Sequence, residues 1–155
     1  MRPSREENFL EQARVISRRA TCLRRRYGAM LVRDNIILST GYNGAASKLV
    51  ECTHKKACLR KEKKVPSGER YELCRSVHAE ANSIINAAVA GTSIKDSVLY
   101  LAGEQADGSL AEALPCSMCA RMLLNAKIRK VVARKSDGGI KVYYPEDLRK
   151  LADNF

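Results

Sequence analysis

Residues 78–90, HAEANSIINAAVA, and residues 115–125, PCSMCARMLLN, decide how this chain is read. Each opens on groups that ligate metal and continues as a helix. The first begins His78-Ala79-Glu80 and the second Pro115-Cys116-Ser117-Met118-Cys119. Together they offer one imidazole, two thiolates three residues apart, and a carboxylate two residues beyond the histidine. Three nitrogen and sulfur ligands suit a zinc ion whose fourth position is left open for water. Pro115 suits the first position of a helix, because an N–H there has no partner within the helix. The other helix is expected over residues 76–90, with Ile84, Ile85, Ala88 and Val89 on its buried face and Gly91 as its stop.

Both ligand groups then fall at helix N-termini. Free N–H groups and the helix dipole favour negative charge there by roughly 0.3–1 kcal/mol, which helps Cys116 and Cys119 ionise. Spacing i, i+3 puts both sulfurs on one face of the first turn. On an ideal helix, at about 100° per residue, Glu80 points about 160° away from His78. That argues against Glu80 as a fourth ligand and leaves it free to reach the water. Zinc lowers the pKa of bound water from about 15.7 toward 7. Two thiolates offset the charge of the ion and weaken that effect, so a general base is required. Glu80 is the candidate.

The flanking chain predicts a mixed α/β sheet. Ser4 followed by Glu7 reads as a capping box. It opens an amphipathic helix with Phe9, Leu10, Ala13, Ile16 and Ala20 on one face. Residues 27–33 and 36–42 read as a hairpin turning at Asp34-Asn35. Strands are expected at 98–102, 130–134 and 140–144, and a final helix from Pro145 to about Asp153. Residues 103–114 read as polar, with a turn at 106–109. Alternating strands and helices after the hairpin give a mixed sheet with helices on its faces. Residues 45–77 form a long polar connection. A structureless loop of that length is unusual in a compact domain, and this one carries Cys52, His54, Cys58 and Cys74, so a metal staple is expected.

The 155 residues include 28 Lys and Arg against 17 Asp and Glu, a net charge of +11. Length and a hydrophobic content of 45% suit a single domain, residues 1–155. Two zinc ions held by six thiolates would bring the charge to about +9. Much of the remainder lies in residues 55–64, read as a solvated face that also steers an anionic substrate. Aromatics are 5% with no Trp, which offers little for stacking single-stranded nucleic acid. No apolar run is long enough to span a membrane, and the polar N-terminus lacks a signal-peptide pattern, so a cytoplasmic location is expected. In a reducing compartment the six cysteines favour metal over disulfides.

The pattern H-x-E followed by P-C-x-x-C is the signature of zinc nucleobase deaminases. The chain resembles the cytidine deaminase superfamily, and within it the deoxycytidylate deaminases. The resemblance extends to residues 21–29, Gly41-Tyr42-Asn43-Gly44, Pro66-Ser67-Gly68-Glu69-Arg70, and Cys74-Arg75 ahead of His78. It implies a three-layer α/β/α domain around a five-stranded mixed sheet, in a homo-oligomer that is often a hexamer. It implies hydrolytic deamination of dCMP to dUMP with ammonia released. A zinc-activated water is the nucleophile and Glu80 the proton shuttle. Asn43 would bind the deoxyribose, Arg24 the 5′-phosphate, and Ala79 the pyrimidine through its backbone. A second, structural zinc would take Cys22, Cys52, Cys58 and Cys74, with His54 as a substitute. Some members respond to dCTP and dTTP.

Three departures stand out. Ala46 replaces a usual proline, residues 103–114 are inserted, and residues 134–139 lack the aromatic that usually packs near the substrate. The rival readings are a tRNA adenosine deaminase and a deaminase of another cytosine nucleotide or nucleoside. The first is disfavoured by the 34 residues between Asn43 and His78, and riboflavin-pathway deaminases by their wider cysteine spacing. A non-catalytic zinc module would have no need of Glu80.

Overall fold

In the computed structural model, residues 1–154 are described. The opening helix, α1 (Arg5–Ser17), is capped by Ser4, whose Oγ accepts the Glu7 N–H at 3.1 Å. Only that half of the predicted capping box forms, because the Glu7 carboxylate pairs with Arg134 instead. The helix stops at Ser17, short of Ala20. Strands β1 (Arg25–Arg33) and β2 (Ile36–Tyr42) form the predicted hairpin. Asp34 and Asn35 turn it with φ of 53° and 63°, a left-handed pair that these two residue types tolerate.

Two short strands, β3 (Gly44–Ala45) and β4 (Ser76–Val77), pair at the two ends of the long connection. Between them lie the one-turn helices α2 (Cys52–Lys55) and α3 (Leu59–Glu62) and a 3-10 turn, Tyr71–Leu73. The sheet continues with β5 (Val98–Gln105), β6 (Lys130–Arg134) and β7 (Ile140–Tyr143), in the order β2-β1-β5-β6-β7. β5 and β6 are parallel, linked through helix α5 (Ser117–Asn125); the other neighbours are antiparallel. Helix α4 (Ala79–Ala90) precedes β5, and α6 (Pro145–Ala152) follows β7.

Alternation along the strands makes two cores. Met30, Val32, Tyr100, Ala102 and Val132 face Leu10 and Ala13 of α1. Ala29, Leu31, Leu99, Leu101, Val131 and Ala133 face the other way, onto a layer that includes Ala79 of α4, Leu123 of α5 and Leu148 of α6. The result is the expected three layers. Two glycines set how closely the helices approach. A Cβ on Gly28 would lie 2.0 Å from the Ala13 carbonyl oxygen, and one on Gly41 2.4 Å from the Ser83 nitrogen.

That close seat corrects the reading of α4. Ser76 and Val77 are strand rather than helix, and His78 is the N-cap. The buried face is Ala79, Glu80, Ala81, Ser83 and Ala87, while Ile85 and Val89 are exposed. Small side chains pack where the β2 backbone comes near; of the larger apolar ones Ile84 still packs partly buried against the core, while Ile85 and Val89 turn outward. Pro115 likewise precedes the cap of α5, which is Cys116. β5 runs three residues further than predicted. Its Glu104 is buried and ion-pairs with Arg14, Arg18 and Arg26. The inserted segment that follows is not wholly polar surface, since Ala111 and Ala113 are buried.

Candidate metal and catalytic site

Extended backbone at His78 (φ −67°, ψ 154°) and Cys116 (φ −72°, ψ 168°) turns both N-caps toward each other. His78 Nδ1 lies 3.5 Å from Cys116 Sγ and 3.4 Å from Cys119 Sγ. The three donor atoms all fall within 4.8 Å of one another. A tetrahedral zinc with bonds of about 2.3 Å to sulfur and about 2.0–2.1 Å to nitrogen sets its ligands about 3.6 Å apart. Two sulfurs and one imidazole are also the donors that zinc prefers. The residues present therefore fit the metal. Among the described residues, this is the three-ligand group that meets such spacing.

The two thiols are shifted in opposite directions. Cys116 is lowered to about 4, first by the hydrogen bond it accepts from the Cys119 thiol, against burial, and then by His78 and the Cys119 N–H. Cys119 is held up because it donates that bond and is buried. Burial works against a charge on His78, but the hydrogen bond to Cys116 and the charges of Glu80 and Cys116 raise its pKa.

Glu80 is 5% exposed, and burial raises its pKa against the opposing pull of His78. The Glu80 carboxyl and the Cys119 thiol lie near enough to shift each other's ionisation. The ideal-helix angle does not apply here, because His78 is not helical, so Glu80 looks into the ligand cluster rather than away from it. A buried carboxyl of raised pKa, next to an open ligand set, can both accept and return a proton.

The cluster sits on the wall of a pocket of about 470 Å³. Arg24, Asn43 and Ala79 line this pocket too. Asn43 is already oriented. Its Oδ1 accepts the Tyr27 N–H at 2.7 Å and its Nδ2 donates to the Arg25 carbonyl at 2.9 Å. One amide N–H and one lone pair remain for a ligand. Cys22 and Cys74 also border the pocket. Burial raises the pKa of Cys52, and the charges of Cys22, Cys58 and Cys74 act in the same direction. These four are free thiols that do not meet the close spacing of the first group, and His54 is exposed.

Several lining residues escape the sequence reading, among them Arg25, Arg60, Tyr71 and Glu112. Arg60 corrects the idea that residues 55–64 are all solvated. It is 7% exposed and donates to the Glu69 and Pro66 carbonyls, so it fastens the loop from inside. Tyr71 provides an aromatic where residues 134–139 provide none. A lone aromatic in a polar connection was the available signal. Leu151 and Asn154, from α6 and just beyond it, also line the pocket.

The fold and site together define a zinc-binding α/β domain with a carboxylate beside the ligands. The chain belongs to the family described as the cytidine and deoxycytidylate deaminase zinc-binding region, whose model matches residues 3–135. It is 30% identical to the deoxycytidylate deaminase of Mycobacterium phage D29 over 139 residues, 86% of this chain and 97% of that protein. It is 29% identical to the deoxycytidylate deaminase of Schizosaccharomyces pombe over 135 residues, 87% of this chain. The chain spans 38% and 39% of the lengths of the fission and budding yeast relatives. The crystal structure of apo dCMP deaminase from cyanophage S-TIM5 matches with a TM-score of 0.65 and 25% identity, covering 98% of this chain and 95% of that one. No helix of the described residues is long and apolar enough to cross a membrane.

Proposed function

We propose that residues 1–155 act as one zinc-dependent deaminase domain that hydrolyses dCMP to dUMP and ammonia. The observation that carries this is the buried Glu80 carboxyl beside His78, Cys116 and Cys119, in a pocket also lined by Arg24, Arg25 and Arg60. His78, Cys116 and Cys119 would hold the zinc, which when bound supplies the Lewis acidity that makes a water nucleophilic at neutral pH. Glu80 takes a proton from the attacking water and delivers it to the ring nitrogen, then takes the proton of the newly added hydroxyl and passes it to the amino group, which leaves as ammonia. Its burial suits this exchange, because a raised pKa brings the carboxyl nearer the working pH. Asn43 offers its free N–H and lone pair to the deoxyribose. Arg24 offers its guanidinium to the 5′-phosphate. Ala79 meets the pyrimidine through its backbone.

Cys22, Cys52, Cys58 and Cys74 would hold a structural zinc, with His54 in reserve. The support is the mutual electrostatic effect of the four sulfurs and the length of the loop that they would bind together. The proposal extends to a cytoplasmic homo-oligomer, a hexamer by resemblance, with dCTP and dTTP as effectors.

The test is ammonia release from dCMP, CMP, deoxycytidine, cytidine and tRNA. dCMP is expected to be turned over best, and Glu80→Gln to lose turnover about 10²–10⁴-fold while keeping zinc and fold. Preference for nucleosides would remove Arg24 from its role, and an unchanged Glu80→Gln would refute the mechanism. Zinc analysis should give near two ions per chain; one would refute the structural site.

A further inference from the structure

Two tyrosines line the pocket, Tyr27 and Tyr71. Tyr27 is committed to the frame, since its hydroxyl donates to the Glu112 carbonyl at 3.2 Å and its N–H to Asn43. Tyr71 comes from the 3-10 turn of the loop. Its ring stands at 85° to the His78 imidazole, with centroids 4.7 Å apart. The Arg60 guanidinium carbon lies 4.6 Å from the centroid of the same tyrosine ring. Arg60 is itself fixed. Nε donates to the Glu69 carbonyl at 3.1 Å, and Nη2 donates to Glu69 and Pro66 at 2.7 and 3.1 Å. A guanidinium buried and tied by three hydrogen bonds is a rigid plate against which an aromatic ring can rest, with cation–π attraction added.

We infer that Tyr71 is the wall on which the heterocycle of the substrate stacks, and that Arg60 is the residue that positions it. This rests on the reading of the pocket as a cytosine nucleotide site. The reacting carbon must lie next to the metal ligands, and Tyr71 touches one of them, so its ring borders the space that a base must occupy. Every base has a π-face, so such a wall contributes affinity with little preference among bases. The contact exists before and during reaction alike. Its loss is then a loss of uniform binding, which raises KM and leaves kcat in place. Arg60 also fastens the loop, but on substrate affinity it acts through the ring, so removing it adds nothing to that loss once the ring is gone.

The experiment uses the zinc-loaded protein and Tyr71→Leu, Tyr71→Phe, Arg60→Met and the Tyr71→Leu/Arg60→Met double variant. Steady-state kinetics with dCMP is paired with calorimetric binding of dUMP and with zinc content. Tyr71→Leu should raise both KM and the dUMP Kd about tenfold, with kcat held within about threefold and zinc unchanged. Tyr71→Phe should stay within about twofold of the parent, because the ring is kept. Arg60→Met should move in the same direction as Tyr71→Leu, and the double variant should match Tyr71→Leu alone. Unchanged KM and Kd in Tyr71→Leu, or losses that multiply in the double variant, would overturn the inference while the parent remains active on dCMP. A parent that neither binds nor deaminates any cytosine nucleotide would overturn the substrate reading, and this inference with it.

Discussion

One flank of the pocket is a frame, the N-termini of α4 and α5 seated on the sheet. The other is the loop between β3 and β4, which has two one-turn helices and little core of its own. The frame holds the three metal donors and Glu80. Its positions follow from backbone packing at Gly28 and Gly41 and from two interleaved cores. The loop brings Arg60 and Tyr71 to the same pocket through a few bonds from Arg60 to carbonyls of the loop itself. The frame thus supplies geometry that must not move, and the loop supplies surface that completes the pocket. Loops of this kind open at lower free energy than the elements that carry them.

The sharpest way to break this contrast is at the ligands. Cys119→Ala should abolish zinc binding and turnover at the catalytic site while far-ultraviolet circular dichroism stays native, because the helix remains. Next comes the seat of the frame. Gly28→Ala drives a methyl against the Ala13 carbonyl, 2.0 Å away, and should cost about 1–3 kcal/mol or more. Thermal melting would register this as a lower Tm. A melt equal to the parent's would mean that α1 is free to shift. On the loop side, Arg60→Met should speed limited proteolysis within residues 46–75 about tenfold and leave the Tm of the frame nearly unchanged. Equal protection would show that the loop is held by other contacts.

The smallest effect lies far from the pocket. The hydrogen bond with Arg134 lowers the pKa of Glu7 below its ordinary 4.5. A depressed carboxylate pKa stabilises the fold above the unfolded value, and that contribution is lost as pH falls through the folded one. Glu7 is about half exposed, 48% at its side chain, so screening limits the contribution to about 0.5 kcal/mol or less. Glu7→Gln should therefore lower urea stability slightly at pH 7 and match the parent below both pKa values. A gap that persists or widens in acid would reverse the sign.

Most of the frame was legible in the sequence because its signals are local. Short apolar runs gave the strands, Asp34-Asn35 gave the hairpin, and the ligand spacing gave the metal group. The departures share a physical cause, in that each depends on something distant in the chain. The buried face of α4 was misread because hydrophobicity pointed to Ile85 and Val89, whereas the near approach of β2 selected Ala and Ser. Glu7 left its capping box because Arg134 offered a charge. β5 lengthened because three arginines from elsewhere gather on Glu104. Within the candidate site, His78, Glu80, Cys116, Arg24, Asn43 and Ala79 do meet in one pocket, with Cys119 buried behind it beside the other two donors. Arg60 was hidden because its neighbours in sequence, Lys61, Lys63 and Lys64, are exposed. Nothing in a basic run marks the member that turns inward to meet carbonyls.

That inward turn separates two kinds of positive charge by their response to ionic strength. Lys55, Lys56, Lys61, Lys63 and Lys64 stand in solvent. Any attraction they exert on an approaching nucleotide fades once added salt shortens the screening length to about 8 Å or less. Arg60 is held by fixed dipoles rather than by a mobile carboxylate, and at 7% exposure it is screened far less than the lysines around it. Rising salt should therefore slow the encounter with an anionic substrate, while the loop, once formed, stays fastened.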